Sequence, residues 1–498
     1  MRKSITVAIC CAAVAGFTAC IGGDTTSGIS AGELDSQLRA LILQNGLTGR
    51  PELLALDDGE EIPDVGDPLV RLGTRLFFSK SLGGNFTSSC ASCHHPLLGG
   101  GDALTLPIGV DAEDPDLLGP GRVHDSAAPG FDGGPNVPRN SPTTFNTVLY
   151  RKRLFWDGRV QRLADGGIFT PDSTGPTAGD PNAGTTLLLA QARFPVTSLE
   201  EMRSFSFEPG SSRAVLRDHL GARIGDHGVG AGEIPDEWLP LFREAFDSPT
   251  GTREELIHYD AIAIALAAYQ SSQLFVDNPW NRYVIGDLDA LNAQQKRGAL
   301  LFFREPQFGG AGCAICHSGD FFTDEEFHIL AVPQVGRGKD DPNINGDPTH
   351  DWGRAQVSGA AEDKFAFRTQ DLLNIEIGGP YGHDGAFDDL AGIIRHHLDP
   401  VSSVANYDWT QTDPGTQLSD LIVNSNEVVQ GLLDARAAGR SKLPDGVALT
   451  GFQLADLIAF LHAMTDPRVK DPAALEPWIA RDDAEFADSQ LLDARFQE

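Results

Sequence analysis

Two short stretches of the sequence decide how the rest is interpreted: SSCASCHHP at residues 88–96 and GCAICHSGD at residues 312–320. Each contains two cysteines separated by two residues, with a histidine directly after the second cysteine. In this CxxCH pattern the two thiols bond to the vinyl groups of a haem, and the adjacent imidazole binds the iron from one side. The sequence therefore predicts two covalently attached haem c groups.

Other uses of paired cysteines fit the two motifs less well. A zinc ribbon usually places its two CxxC pairs about 15–20 residues apart, whereas the two pairs here begin 223 positions apart. A redox-active dithiol needs a thioredoxin-like βαβ context, which is not apparent around residue 90. Neither alternative explains the histidines. The expected haem-binding residues are Cys90, Cys93 and His94 for the first haem, and Cys313, Cys316 and His317 for the second.

The chain begins with MRKSITVAICCAAVAGFTAC, residues 1–20, which has the layout of an export signal. A charged start is followed by an apolar run from Ile5 to Phe17 that is too short to span a bilayer. The last four residues are similar to a lipobox, which predicts a lipid anchor at Cys20; cleavage without lipidation is the alternative, because Phe17 is unusual there. Haem c is attached outside the cytoplasm in bacteria, so we expect a periplasmic protein, either free or lipid-anchored to a membrane.

The composition is that of a soluble globular protein with a substantial core. Of the 498 residues, 41% are hydrophobic and 22% are charged, and the formal net charge is −32. This charge disfavours nucleic acid, whose binding needs a basic face. It suits a basic protein partner.

The approaches to the two CxxCH motifs repeat each other. GTRLFF at 73–78 precedes the first motif and GALLFF at 298–303 precedes the second, each at the end of an amphipathic helical pattern. Helical patterns dominate elsewhere, separated by long loops rich in Gly, Pro and Asp. The sequence therefore predicts a mainly α protein with two cytochrome c-like haem domains and long irregular loops.

Further motifs resemble those of the bacterial diheme cytochrome c peroxidase family, which includes the MauG-type enzymes. The similarity runs from about Val65 to Asp466 and includes the CxxCH motifs. The other motifs are PRNSPTTFN (138–146), LFWDGR (154–159), NRYVIGD (281–287), DWGRAQVSG (351–359), FRTQDLLN (367–374) and PYGHDGAFDDL (380–390).

The resemblance implies a peroxidase that reduces hydrogen peroxide with electrons from a small cytochrome c or cupredoxin. One alternative is a MauG-like oxidase that acts on a protein or organic substrate, and another is a non-enzymatic diheme electron carrier. Members of the family are often dimeric, so a homodimer is also expected.

The resemblance also assigns roles to the segments of the chain. The N-terminal haem would be the peroxide site, and the C-terminal haem the point of electron entry. The expected segments are an export signal at 1–19, an N-terminal tether at 20–60, an N-terminal peroxidatic haem c domain at 61–276, a C-terminal electron-transfer haem c domain at 277–466 and a C-terminal tail at 467–498.

Carried over by position, the resemblance places three catalytic residues near the first haem. Glu201 would be the distal acid that moves a proton between the peroxide oxygens, with Glu200 as the alternative. Gln191 lies ten residues before Glu201, as in the family. Trp156 would lie between the two haems and carry electrons. Asn140 would bind a calcium ion together with backbone carbonyls near Gly378 and Pro380, since calcium prefers oxygen ligands.

The second axial ligands distinguish the two haems. The spacing from the HDG motif assigns His397 as the distal ligand of the second haem, with His396 as the alternative; the family usually has Met or Tyr there. Many members cap the first iron with a histidine about sixteen residues after CxxCH, and here that position is Val110. We therefore expect an open first iron, unless His124 caps it.

Overall fold

A computed structural model of the chain shows a mainly α-helical fold with a few very short strands, which confirms the predicted mainly α class. The residues it describes are 30–57, 62–235, 237–339, 350–417, 421–481 and 488–497. The signal peptide predicted at 1–19 and the lipidation site predicted at Cys20 lie outside these residues. None of the described helices is long and apolar enough to span a membrane.

Most helices have between one and four turns and are joined by long connections. In chain order they are α1 (Ala31–Gln44), α2 (Leu53–Asp57), α3 (Pro68–Phe78), α4 (Leu187–Gln191), α5 (Arg213–Ile224), α6 (Leu239–Ala245), α7 (Arg253–Leu256), α8 (Tyr259–Ser272), α9 (Pro279–Val284), α10 (Ala293–Phe303), α11 (Ala355–Ser358), α12 (Leu390–Leu398), α13 (Pro400–Ala405), α14 (Leu421–Ala437), α15 (Gly451–His462) and α16 (Pro472–Leu475).

The strands form three small sheets. β1 pairs with β7 in parallel, β2, β3 and β4 form an antiparallel sheet in that order, and β5 pairs with β6 antiparallel. Their bounds are β1 (Leu117–Leu118), β2 (Arg153–Leu154), β3 (Val160–Arg162), β4 (Ile168–Phe169), β5 (Phe327–Ile329), β6 (Ala366–Arg368) and β7 (Arg495–Phe496).

The sequence repeat corresponds to two equivalent helix crossings, α3 with α8 and α10 with α15. Gly73 of α3 lies so close to α8 that a Cβ there would be 2.0 Å from the carbonyl oxygen of Ala265. Gly298 of α10 is equivalent, since its Cβ would be 1.9 Å from the carbonyl oxygen of Asp456 in α15. Only glycine permits such an approach of two backbones. The repeat therefore encodes one helix crossing before each CxxCH motif.

Two large hydrophobic clusters are built around these crossings. One contains buried residues of α3, α5 and α8, and the other contains buried residues of α10 and α15. Leu34 and Leu38 of α1 belong to the second cluster, and Lys296 of α10 forms an ion pair with Asp35 at 2.7 Å. The described part of the segment predicted as a tether at 20–60 therefore differs from a tether, because α1 packs on α10.

The C-terminal segment after residue 466 packs back onto the N-terminal half. The Tyr269 hydroxyl of α8 donates to the carbonyl of Trp478 at 2.8 Å. Further along, the carboxylate of the buried Asp488 accepts hydrogen bonds from Ser79 (3.2 Å), Ser81 (2.9 Å) and the indole N–H of Trp238 (2.9 Å). One carboxylate therefore links the tail to Trp238 and to the segment that follows α3.

We expect the Asp488→Ala variant to be less stable than the parent by about 3 kcal/mol, because three buried donors lose their shared acceptor. Chemical denaturation of the haem-loaded protein, followed by circular dichroism, measures this difference. The matched control is Asp493→Ala, which removes an exposed carboxylate from the same tail. Equal stability of the two variants would contradict the fastening role of Asp488.

Candidate functional site

The first CxxCH motif begins with a single 3₁₀ turn, Cys90–Ser92, and lines a cavity of about 630 Å³. The backbone N–H of His94 donates to the Cys90 carbonyl at 3.0 Å, so the motif is tightly wound. The imidazole Nδ1–H of His94 donates to the Gly100 carbonyl at 3.1 Å, which leaves Nε2 free to bind a metal. Burial lowers the pKa of His94, which favours the neutral, ligating form of the ring.

The four cysteines of the described residues are unpaired. Burial raises the pKa of Cys90 and of Cys313 to about 12, so these thiols are not ionised at neutral pH. Unpaired thiols beside an imidazole with a free Nε2, in a large cavity, fit covalent attachment of a haem.

Two glutamates line the first cavity from one π-helical turn, Leu199–Arg203. Such single π turns are frequent at functional sites. The Oε1 atom of Glu201 lies 3.7 Å from Nη2 of Arg159, and the Oε1 atom of Glu200 lies 3.7 Å from Nη2 of Arg337. Both carboxylates therefore line the cavity beside a guanidinium group, and these contacts do not favour one over the other as the predicted distal acid.

Gln191 lines the same cavity from the end of α4. The amide nitrogen of Gln270 in α8 lies 3.4 Å from its Oε1 atom and donates to it. Gln191 and Glu201 therefore share one cavity with His94, although they follow His94 by 97 and 107 positions in the chain.

The candidate cap of the first iron lies elsewhere. His124 does not line the first cavity; its Nδ1–H donates to the Asp125 carbonyl at 3.0 Å and its ring stacks on Phe131. Val110 is fully buried, and its backbone N–H donates to the Glu200 carbonyl at 3.0 Å. Among the described residues that line the first cavity, His94 is the only histidine.

The second CxxCH motif lines a separate cavity of about 260 Å³, together with His397 of α12. The Nδ1 atom of His317 lies 3.1 Å from the carbonyls of both Phe322 and Gln370, and Nδ1–H of His397 donates to the Ile393 carbonyl at 2.8 Å. Both Nε2 atoms are thus left for a metal. The two ring centroids are 6.4 Å apart. Two metal–imidazole bonds of about 2 Å each, together with the distance from each Nε2 atom to the centroid of its ring, account for such a separation.

His396, the alternative ligand, has a different environment. It is fully buried outside the lining of the second cavity, and its Nε2–H donates to the Leu330 carbonyl at 2.9 Å. One residue along a helix turns the side chain by about 100°. The structure therefore directs His397, and not His396, towards His317.

The two cavities are separated by a shared wall, which is formed by the residues that line both of them. The indole N–H of Trp156 donates to the backbone carbonyl of Asn140 at 3.0 Å, and its ring meets that of the buried His383 edge-on, with centroids 6.5 Å apart. Trp156 lines both cavities. The residues that line both cavities are Asn140, Ser141, Pro142, Thr143, Trp156, Arg368 and Gln370.

The predicted calcium ligands line the second cavity, and only Asn140 among them also belongs to the shared wall. The side-chain amide nitrogen of Asn140 donates to the Leu104 carbonyl at 2.9 Å, and Asn140, Gly378 and Pro380 all line the second cavity. These groups can offer oxygen atoms of the kind calcium prefers, although the set contains no carboxylate.

The structure adds residues that the sequence analysis missed. Ligand atoms of Cys316, Asp324 and His328 lie within 4.8 Å of one another. Haem attachment would use the sulfur of Cys316, so this cluster is part of the second haem site. Burial lowers the pKa of His328, but its hydrogen bond with Asp324 (2.9 Å) and its contact with Cys316 raise it to about 9 overall. The position of His328 depends on the pairing of β5 with β6, which no local pattern reveals.

Residues 67–289 match a family model described as Di-haem cytochrome c peroxidase. The methylamine utilization protein MauG of Methylorubrum extorquens is 29% identical over 66% of this chain and 68% of its own length. The cytochrome c551 peroxidase of Pseudomonas aeruginosa is 27% identical over 66% of this chain and 71% of its own. The crystal structure of a MauG-like protein associated with microbial copper homeostasis shares the fold, with a TM-score of 0.53 and 22% identity over 84% of this chain and 95% of that chain.

We expect the His397→Ala variant to lose the low-spin signature of the second haem in electron paramagnetic resonance (EPR) spectra, because one of two axial imidazoles is removed. The matched control is His396→Ala, which removes the neighbouring buried imidazole and should retain that signature. Loss of the signature in the His396 variant alone would assign the ligand to His396.

Proposed function

Because the chain belongs to the di-haem cytochrome c peroxidase/MauG family and is therefore an oxidoreductase, we propose that it reduces hydrogen peroxide to water with electrons from a small periplasmic redox protein. The observation that carries this proposal is the difference between the two cavities. The first combines a single histidine with carboxylate and amide side chains, whereas the second contains two facing imidazoles. One site is thus suited to binding peroxide and the other to transferring electrons.

In the first site, Cys90, Cys93 and His94 would hold a haem c, which supplies a redox-active iron with one exchangeable position. Glu201 accepts a proton from one peroxide oxygen and donates it to the other, so that water can leave. Gln191, held by Gln270, offers an amide for a hydrogen bond to the bound peroxide. Arg159 positions the Glu201 carboxylate from a distance of 3.7 Å.

In the second site, Cys313 and Cys316 would attach the other haem c, and the facing imidazoles of His317 and His397 would bind its iron. Ligation by both imidazoles would exclude peroxide and lower the potential relative to methionine ligation, which would suit this site to receiving and passing on electrons. Trp156 lies on the wall between the sites and provides the path. Asn140 on the same wall would bind calcium with carbonyl groups near Gly378 and Pro380.

The proposal extends to the surroundings of the enzyme. Haem c attachment and the export signal support a periplasmic location, with Cys20 as the site of a lipid anchor. The net charge of −32 supports a basic cytochrome c or cupredoxin as the electron donor, since opposite charges steer association. A homodimer is supported by the resemblance, because members of the family are often dimeric.

A MauG-like activity, in which electrons are withdrawn from a bound protein or organic substrate, is the second candidate. It is favoured by the lack of a second histidine among the described residues of the first cavity, because an iron that is already open can react before any reduction. Peroxide-dependent oxidation of reduced cytochrome c separates the two candidates: multiple turnovers support the peroxidase, and stored oxidising equivalents without turnover support the MauG-like oxidase.

We expect the Glu201→Gln variant to reduce hydrogen peroxide about 10²–10⁴-fold more slowly, because a positioned proton donor and acceptor contributes about that factor. The measurement is kcat for oxidation of reduced cytochrome c. Glu200→Gln is the matched control, since it changes the adjacent carboxylate of the same π-helical turn. A loss confined to the Glu200 variant would transfer the role of the distal acid to Glu200.

We expect the fully oxidised protein to contain one high-spin and one low-spin haem and to react with peroxide without prior reduction. The reason is that His94 is the only imidazole among the described residues of the first cavity, whereas His317 and His397 face each other in the second. EPR spectra of the resting protein and stopped-flow absorbance after peroxide addition test this. Two low-spin haems that stay inert even when half-reduced would overturn the proposed function.

A further inference from the structure

A second connection crosses the wall between the cavities, apart from Trp156. Tyr150 lines the first cavity, and its hydroxyl lies 2.9 Å from Oε1 of Gln370 and 2.9 Å from Oδ2 of Asp371. Gln370 lines both cavities, and its backbone carbonyl lies 3.1 Å from Nδ1 of His317. A chain of hydrogen bonds therefore leads from the first cavity to the imidazole that belongs to the second CxxCH motif.

The phenol of Tyr150 is held rigidly in this position. Its side chain is 4% exposed, and its ring packs edge-on against Phe321, with centroids 4.7 Å apart. The guanidinium of Arg368 lies 4.0 Å from the ring centroid, and Nη2 of Arg368 also donates to Oε1 of Gln370. The protein contains six tyrosines, and Tyr150 is the one that lines the first cavity.

We propose that Tyr150 is a second electron relay between the two haem sites, an oxidisable phenol that transfers its proton to Asp371. The inference rests on the proposed function, which supplies the oxidant: the first haem after its reaction with hydrogen peroxide. It adds to that function a second path, parallel to the one through Trp156.

The relay step balances within the residues named. Tyr150 gives one electron to the oxidised first site, its phenolic O–H bond breaks, and the proton moves to Oδ2 of Asp371. The products are a neutral phenoxyl radical and a protonated carboxyl group. One electron from the second site and return of the same proton restore the phenol and the carboxylate.

The neighbouring charges explain why electron and proton move together. Loss of the electron alone would leave a cationic ring 4.0 Å from the guanidinium of Arg368, and burial makes such a pair of like charges costly. Transfer of the proton to Asp371 keeps the ring neutral. The acceptor is already within hydrogen-bond distance of the phenol, so no rearrangement of the wall is required.

The test uses the protein with both haems attached, mixed with hydrogen peroxide and frozen within milliseconds for EPR. The expected spectrum contains the signal of a tyrosyl radical. Its hyperfine splitting should change when the protein is expressed in cells supplied with ring-deuterated or β-deuterated tyrosine. Tyr150→Phe, which keeps the ring and removes the hydroxyl, should lack this signal and should be re-reduced more slowly by the electron donor.

Two further variants keep the test decisive. Asp371→Asn retains the phenol and a hydrogen-bond acceptor but no proton acceptor, and should also lose the tyrosyl signal. Tyr259→Phe removes a buried hydroxyl that donates to the Ala192 carbonyl and lines neither cavity, and should retain the signal. Haem content and the resting spectrum of each variant establish that both haem sites are intact.

The outcomes separate this inference from the proposed function. A radical signal that persists in Tyr150→Phe, or one that is insensitive to labelled tyrosine, overturns the relay while peroxide turnover remains. Absence of any reaction of the parent protein with peroxide overturns the proposed function itself, and the relay with it.

Discussion

The wall between the two cavities depends on one buried cation, the guanidinium of Arg139. It is 6% exposed and makes ion pairs with Asp157 (2.6 Å) and with both carboxylate oxygens of Asp351 (2.6 and 2.7 Å). Burial alone would lower the pKa of Arg139, but the two carboxylates raise it, and the group stays charged. An uncompensated buried charge costs several kcal/mol. The segments that contain Arg139 and Asp351, which are 212 positions apart, are therefore held together. Asn140 follows Arg139 directly and Trp156 precedes Asp157, so the same ion pairs fix the residues that both cavities share.

On either side of this wall the same helix crossing is used twice for different purposes. Gly73 and Gly298 let α3 and α10 approach α8 and α15 to backbone contact, and each crossing leads into a CxxCH motif. The two sites differ in what the later chain adds. The second receives an imidazole from α12, whereas the first receives carboxylates from a π-helical turn. A duplicated scaffold thus carries one cavity with a single histidine and one cavity with two facing imidazoles.

The charges are distributed unevenly between surface and interior. The chain carries a formal charge of −32, yet cationic side chains concentrate around the first cavity, where they face buried carboxylates. Burial lowers the pKa of Lys339 to about 8, and the neighbouring Arg139 adds to the effect, so a further carboxylate at this wall would favour its charged form. The cationic side chains around the first cavity suit a cofactor that carries carboxylate groups. The net charge of −32 suits a basic protein partner. The cationic residues that line the first cavity are Arg139, Arg159, Arg213, Arg337, Lys339 and Arg368.

The sequence by itself determined the haem attachment motifs, their duplication and the mainly helical class, because CxxCH chemistry and helix periodicity are local properties. Family resemblance also named Trp156, Gln191 and the Glu200–Glu201 pair, which the structure brings to one cavity. The resemblance favoured His397 over His396, and the tertiary structure shows that His397 is the one that faces His317, because one step along a helix rotates a side chain by about 100°. The tertiary structure alone placed His124 outside the first cavity and joined Tyr150 to Gln370, 220 positions later in the chain. Contacts of that range depend on how the two halves pack around a buried ion cluster, and no local pattern encodes that packing.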